Sequence, residues 1–178
     1  MKKINCAAVF FCNLLLFASI SASAQKEGKV FSAGFGIEAG APVGDATTAY
    51  HFTGGLGIRF SYHAGPGFVT LSSGAFAYVP KSGEGKSTKA SLQIPLKAGY
   101  KYIFHKPFFV MGEIGYSSFR VYYAGVNNSI ASNSTGGFTY SPSAGVSFNA
   151  FEAGVKFEAT SVSGGTLSTL GIRLAFNF

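Results

Sequence analysis

The sequence predicts an all-β chain, an eight-stranded antiparallel transmembrane β-barrel behind a cleaved signal peptide. Three observations lead there. Charged residues make up only 12% of the chain, while Gly numbers 24 and Phe 19; a soluble domain typically carries about 25% charged residues. No segment beyond the first two dozen residues is apolar for the roughly 20 residues that a spanning helix needs. Segment after segment instead alternates large apolar residues with small or polar ones, the period of a strand whose two faces meet different surroundings. A bilayer admits only helices and closed barrels, because an open sheet edge leaves backbone groups unpaired in lipid.

The signal peptide comes first in the chain. Lys2 and Lys3 are followed by an apolar run from Ala7 to Ile20 and then by "SASAQ", where Ala22 and Ala24 fit the small-x-small cleavage pattern. Residues 1–24 are thus the targeting segment and 25–178 the barrel domain. Cys6 and Cys12 both leave with the signal, so disulfides, thiolate metal sites and cysteine nucleophiles are not expected. Two of the 14 basic residues leave as well, and 12 remain against 7 acidic ones, a net charge of +5. An exported chain does not meet nucleic acid, so this excess belongs to loops and interior.

The strands follow in order. "VFSAGFGIEAG" sets Phe31, Ala33, Phe35, Ile37 and Ala39 against Ser32, Gly34, Gly36 and Glu38. "LGIRFSYH" opposes Leu56, Ile58, Phe60 and Tyr62 to Gly57, Arg59, Ser61 and His63. The segment 68–79, "FVTLSSGAFAYV", alternates poorly and its faces stay unassigned. "LQIPLKAGYKY" places Lys97 and Lys101 opposite Leu96, Tyr100 and Tyr102. "FVMGEIGY" places Glu113 opposite Val110 and Ile114. "FTYSPSAGVSF" opposes Phe138, Tyr140 and Phe148 to Ser141, Ser143 and Ser147. "FEAGVKFEA" sets Phe151, Val155 and Phe157 against Glu152, Lys156 and Glu158. The closing "GIRLAFNF" sets Ile172, Leu174, Phe176 and Phe178 against Arg173 and Asn177. Eight is a common size for such barrels, whose strand number is even in single bacterial chains.

Connection lengths support the same topology. The first ("PVGDATTAYHFTGG"), third ("PKSGEGKSTK") and fifth ("AGVNNSIASNSTGG") are long, and the seventh ("TSVSGGT") is intermediate. The second ("HAGPG"), the fourth around His105 to Pro107, and the sixth, Asn149-Ala150, are short. Short turns face the periplasm in these barrels, so both mature termini fall on that side. Pro95 and Pro142 interrupt strands that have no free edge, which leads to the expectation of bulges or nearby strand ends. Arg120 has lipid-facing parity and belongs near the outer interface.

The inward parity collects Glu38, Arg59, Lys97, Lys101, Glu113, Glu152, Lys156, Glu158 and Arg173. A barrel of eight strands is only wide enough to be filled by its own side chains, so these nine read as a plug of ion pairs rather than as an ion path or ligand site. Inward glycines make room for the long side chains. His51, Asp45 and Thr53 in the first outer connection are the nearest approach to a hydrolytic set; loops often contain such residues, and no catalytic residue is assigned. No metal-ligand spacing and no cofactor motif appears. Aromatic residues from Tyr62 to Phe178 gather at the periplasmic rim as an interfacial girdle. Lys81, Lys86 and Lys89, with Glu84, form a mildly basic outer segment within reach of anionic lipopolysaccharide.

"GIEAGAPVGD", "QIPLKAGYKYIF", "FVMGEIGY", "FTYSPSAGVSF" and "LGIRLAFNF" resemble the small outer-membrane β-barrel domain proteins of Bacteroidetes, related in architecture to OmpA- and OmpX-like barrels. The resemblance implies export to the bacterial outer membrane, contact with outer-membrane lipid, and insertion by the outer-membrane assembly machinery. It also implies that Leu174, Phe176 and Phe178 form the terminal insertion signal. The expected role is structural or surface-interacting through the outer loops, with an unidentified surface ligand, no enzyme activity and no wide pore. Two alternatives stand beside it. One is an outer-leaflet lipid-modifying enzyme. The other is a soluble periplasmic barrel holding an apolar ligand, which requires the aromatic parity to face inward.

Overall fold

The computed structural model describes residues 30–81, 90–124, 130–162 and 165–178. The signal segment, Glu84, Lys86 and Lys89 lie outside them. Eight strands pair in sequence order and close into a barrel: β1 (Phe31–Val43), β2 (Tyr50–Ala64), β3 (Gly67–Pro80), β4 (Ser91–His105), β5 (Phe108–Ala124), β6 (Ile130–Phe148), β7 (Phe151–Val162) and β8 (Gly165–Asn177). All pairs are antiparallel. Closure joins the first and last strands. Ala33 and Phe178 exchange backbone hydrogen bonds of 3.0 and 2.8 Å, so the last residue completes the ladder to β1.

Alternation fixes which face turns in. Phe35, Ile37, Leu56, Ile58, Leu96, Ile114, Val155 and Ile172 all project outward and exposed, while Arg59, Lys97, Glu113, Glu152, Glu158 and Arg173 are buried inside. Polar groups point into the barrel and apolar groups out of it, the reverse of a soluble domain. The soluble barrel with an apolar ligand required the aromatic parity to face inward, and that parity faces outward. The same register assigns β3: Thr70, Ser72, Phe76 and Tyr78 are buried, and Val69, Leu71 and Val79 are exposed. Its alternation is weak in the sequence because both faces carry apolar residues, Phe76 and Tyr78 inward and Val69, Leu71 and Val79 outward.

At one end, with the start of β1 and the end of β8, the turns Gly65-Pro66, Lys106-Pro107 and Asn149-Ala150 link consecutive strands. Gly65 and Asn149 take φ of 60° and 47°, a region tolerated by these two residue types. Tyr62, Tyr102, Phe104, Phe108, Phe148, Phe151 and Phe176 ring this end, all exposed. It is called the terminal end here, and the opposite one the loop end.

The loop end differs from expectation in three places. The first connection shrinks to a 3-10 helix, Gly44–Thr48, because β1 and β2 run further than their alternation does. The fifth is mostly strand: β5 and β6 pair all the way to Ala124 and Ile130, making a hairpin of the two longest strands. The seventh is as short as the turns of the terminal end, since Val162 pairs with Gly165.

The prolines also behave differently. No bulge occurs at Pro95 or Pro142; the irregularities lie at Tyr50/Phe52 and Ile103/His105. Pro95 stays in register with Ser117 on β5, while the ladder to β3 lapses between Ser73–Leu96 and Phe76–Gln93 without a change of register. Pro142 pairs with Gly112 on β5, and the ladder to β7 lapses between Tyr140–Ala159 and Ser143–Lys156. Each missing N–H is accommodated by dropping bridges on one side. At Pro95 a substitute exists, since Ser73 Oγ donates to the Pro95 carbonyl at 2.8 Å.

Candidate functional site

The nine inward charges converge on one connected cluster contributed by β1, β2, β4, β5, β7 and β8. Glu152 accepts from Arg59 Nη1 and from Lys101 Nζ, each at 2.6 Å. Glu38 accepts from Arg173 Nη1 at 2.5 Å and from Lys156. Glu158 accepts from Lys97 and, at 3.3 Å, from Lys156. Glu113 accepts from Ser72 Oγ at 2.7 Å and lies 3.7 Å from Arg59 Nε and 3.8 Å from Lys97 Nζ. Every acid thus faces two or more cations, the arrangement that offsets the desolvation of buried ions. Arg59 and Lys97 each span two acids, so the pairs form a network.

Small residues make the space. A methyl group on Gly57 would lie 3.0 Å from Arg173 Nη1 and 3.4 Å from Glu38 Oε1. The Arg173–Glu38 pair therefore fits because β2 presents no side chain there.

Sequence reasoning missed what continues the filling toward the loop end. Gln93 on β4 accepts from Tyr78 OH at 2.7 Å, and its amide nitrogen lies 3.0 Å from Glu158, 3.1 Å from Ser117 and 3.1 Å from Thr160. Gln93 thus links the ion network to a cap of rings. Tyr50, Tyr78 and Phe119 meet edge to face with centroids 5.3 to 6.1 Å apart. Phe76, Leu167 and Ala46 complete the cluster, and Ala46 comes from the 3-10 helix folded over the mouth. Between cap and ions a cavity of about 20 Å³ is lined by Glu38, Thr53, Tyr78, Gln93, Lys156 and Glu158, room for about one water molecule. The parity that Phe119 shares with Glu113 was the available signal; rings inside a barrel otherwise filled by ions were not anticipated.

Other singled-out residues fall as follows. Thr53 is buried in the interior, His51 is exposed and Asp45 sits in the 3-10 helix; among the described residues no hydrogen bond joins the three. His63 stacks edge-on against Phe68 with centroids 5.2 Å apart beside the terminal-end turn, and His105 ends β4. Leu174 and Phe176 face outward and Phe176 lies against Phe35, 6.5 Å between centroids. Arg120 faces outward at the loop end, paired with Leu92 and Ser134. The described residues contain no group of three or more His, Cys, Asp and Glu placed to hold a metal ion.

No protein-family model and no curated protein sequence matches the chain. Solved structures do. Ail, the attachment invasion locus protein of Yersinia pestis, superposes with a TM-score of 0.61 at 13% identity, over 83% of this chain and 97% of that one. The N-terminal β-barrel domain of Pseudomonas aeruginosa OprF gives 0.61 at 12% identity over 83% and 97%. Neisserial surface protein A gives 0.56 at 11% identity over 84% and 98%. At these identities the likeness is one of architecture: this chain has the eight-stranded fold of small outer-membrane barrels.

Proposed function

We propose that this protein is an integral outer-membrane barrel with a structural or surface-interaction role, exercised through the loop end and not through a lumen or a reaction. The observation that carries the reading is the division of the strands: an apolar outer wall suited to lipid around an interior filled by ions and rings. Beyond that wall, the pairing of β5 with β6 continues past Arg120 to Ala124–Ile130, while the pairing of β4 with β5 begins at Leu92–Arg120. The hairpin therefore stands clear of the barrel as a surface for a partner. Ail, a neighbour in fold, is named the attachment invasion locus protein and has also been solved in complex with the heparin analogue sucrose octasulfate. In this reading outer-membrane lipid and lipopolysaccharide surround the wall. The assembly machinery reads the strand ending in Leu174, Phe176 and Phe178, residues 1–24 are removed on export, and both mature termini face the periplasm.

Single cysteines test the orientation, because both native cysteines lie in the first 24 residues. On intact cells a membrane-impermeant maleimide is expected to label Ser134→Cys in the hairpin and to leave Asn149→Cys at the terminal end unlabelled. The opposite pattern would reverse the topology, and labelling of neither would remove the hairpin from the cell surface.

A further inference from the structure

Arg120 breaks the chemistry of the wall. Away from the exposed histidines at the strand ends, His51 and His105, the outward positions of the eight strands are otherwise held by apolar, small or hydroxyl-bearing side chains, and Arg120 is the one Lys, Arg, Asp or Glu residue among them in the described chain. Among the described residues it also has no acid to meet. Glu38, Glu113, Glu152 and Glu158 are committed to the interior, and Asp45 sits in the 3-10 helix beside β1, on the other side of the barrel from β5.

Its surroundings are as unusual as its charge. Ser134 is its register partner on β6, and Ser118, on the same face of β5, pairs with Gly136. The ring of Tyr116 lies across Gly136, its hydroxyl 2.6 Å from where a methyl group on that glycine would be. One guanidinium and three hydroxyls therefore occupy neighbouring outward positions in a wall that becomes apolar again at Ile114, Phe138 and Tyr140. Depth is fixed by the ladder. Leu92, the partner of Arg120 on β4, is one residue from the start of that strand at Ser91, so the patch lies where the hydrocarbon belt gives way to the headgroup layer.

We propose that Arg120, flanked by Ser134, Ser118 and Tyr116, binds the phosphate of a lipid headgroup at the loop-end rim. This rests on the reading that the wall faces lipid. A guanidinium presents paired donors that match phosphate oxygens, and such charge-assisted bonds are the strong ones. Ser134 supplies a further donor directly beside it, and Ser118 and Tyr116 supply donors one register step down the same face; phosphate is the anion that a membrane offers there.

Purified folded protein in zwitterionic detergent provides the test. Lipopolysaccharide, dephosphorylated lipopolysaccharide, phosphatidylglycerol or inorganic phosphate is titrated in, and the temperature at which the unboiled gel band converts to the boiled one is recorded. The phosphorylated lipids are expected to raise that temperature. Arg120→Gln should need about tenfold more lipid for the same rise, Arg120→Lys an intermediate amount, and Lys81→Gln no more than the parent. Ser134→Asp, which keeps the arginine but sets a negative charge beside it, should weaken the effect in the same direction. A response to lipopolysaccharide that is lost on dephosphorylation assigns the phosphate to that lipid; an equal response to phosphatidylglycerol assigns it to a glycerophospholipid. Coincident curves for the parent and Arg120→Gln overturn the proposal, and so does an equal response to inorganic phosphate alone. Failure of the parent to show any separate unboiled band defeats the membrane reading beneath it, which keeps the two failures apart.

Discussion

Toward the terminal end the barrel interior is filled by ions, and toward the loop end by rings. The lower half holds Arg59, Lys101, Glu113, Glu152 and Arg173, with Lys101 Nζ also 4.3 Å from the centre of the Phe109 ring. The upper half holds Tyr50, Tyr78, Phe119 and Leu167 under Ala46. The two halves fail differently when a piece is removed. An ion taken from the lower half leaves its partners charged and dry. Phe119 trimmed in the upper half leaves only a space. The contrast is between a network of mutual obligations and a cap held mainly by packing, the two joined through Tyr78 and Gln93.

The largest expected effect breaks the lower half. Glu152→Ala strands Lys101 and leaves Arg59 with Glu113 alone, 3.7 Å away, and loss of one partner of a buried pair costs about 3–5 kcal/mol; the urea midpoint of the folded barrel in lipid vesicles measures it. Next comes the space that the network depends on. Gly57→Val pushes a side chain into the Arg173–Glu38 pair, 3.0 Å from Arg173 Nη1 already at the first carbon, with an overpacking cost of about 1–3 kcal/mol in the same assay. The cap should respond less. Phe119→Leu keeps an apolar side chain against Tyr50 and Tyr78 and is expected to cost about 1 kcal/mol. A loss as large as that of Glu152→Ala would erase the distinction between the halves. Smallest is the response to salt. Buried pairs are screened far less than exposed ones, so raising ionic strength to about 1 M should leave the midpoint of the parent nearly unchanged; a large drop would mean that water reaches the ions.

The same contrast explains what could be read in advance. A strand's faces are legible when one is aliphatic or aromatic and the other charged, as in Phe151–Val162, where Phe151 and Val155 turn out and Glu152, Lys156 and Glu158 turn in. Period two and charge type were enough to gather all nine interior ions. Their pairings were not legible, because they join strands far apart in sequence, as Glu38 and Arg173 are. The cap was hidden for a different reason: Phe76 and Tyr78 turn inward from a strand whose outward face is also apolar, so parity gave no contrast. The segment Ile130–Gly137 looks like a loop by composition, rich in Ser, Asn and Gly, and becomes strand because it pairs residue by residue with β5. Such pairing is a property of the partner and overrides weak intrinsic propensity. Pro95 and Pro142 misled in the same way. A strand flanked on both sides can lose bridges to one neighbour and stay in register through the other.

The central claim is that the apolar outer wall faces a membrane. Its most direct test compares boiled with unboiled gel mobility of the protein recovered from fractionated cells. The account predicts recovery in the outer-membrane fraction and a band that shifts on boiling, because a closed barrel keeps its pairing in detergent until heated. Recovery in the soluble periplasmic fraction with no shift on boiling would contradict it.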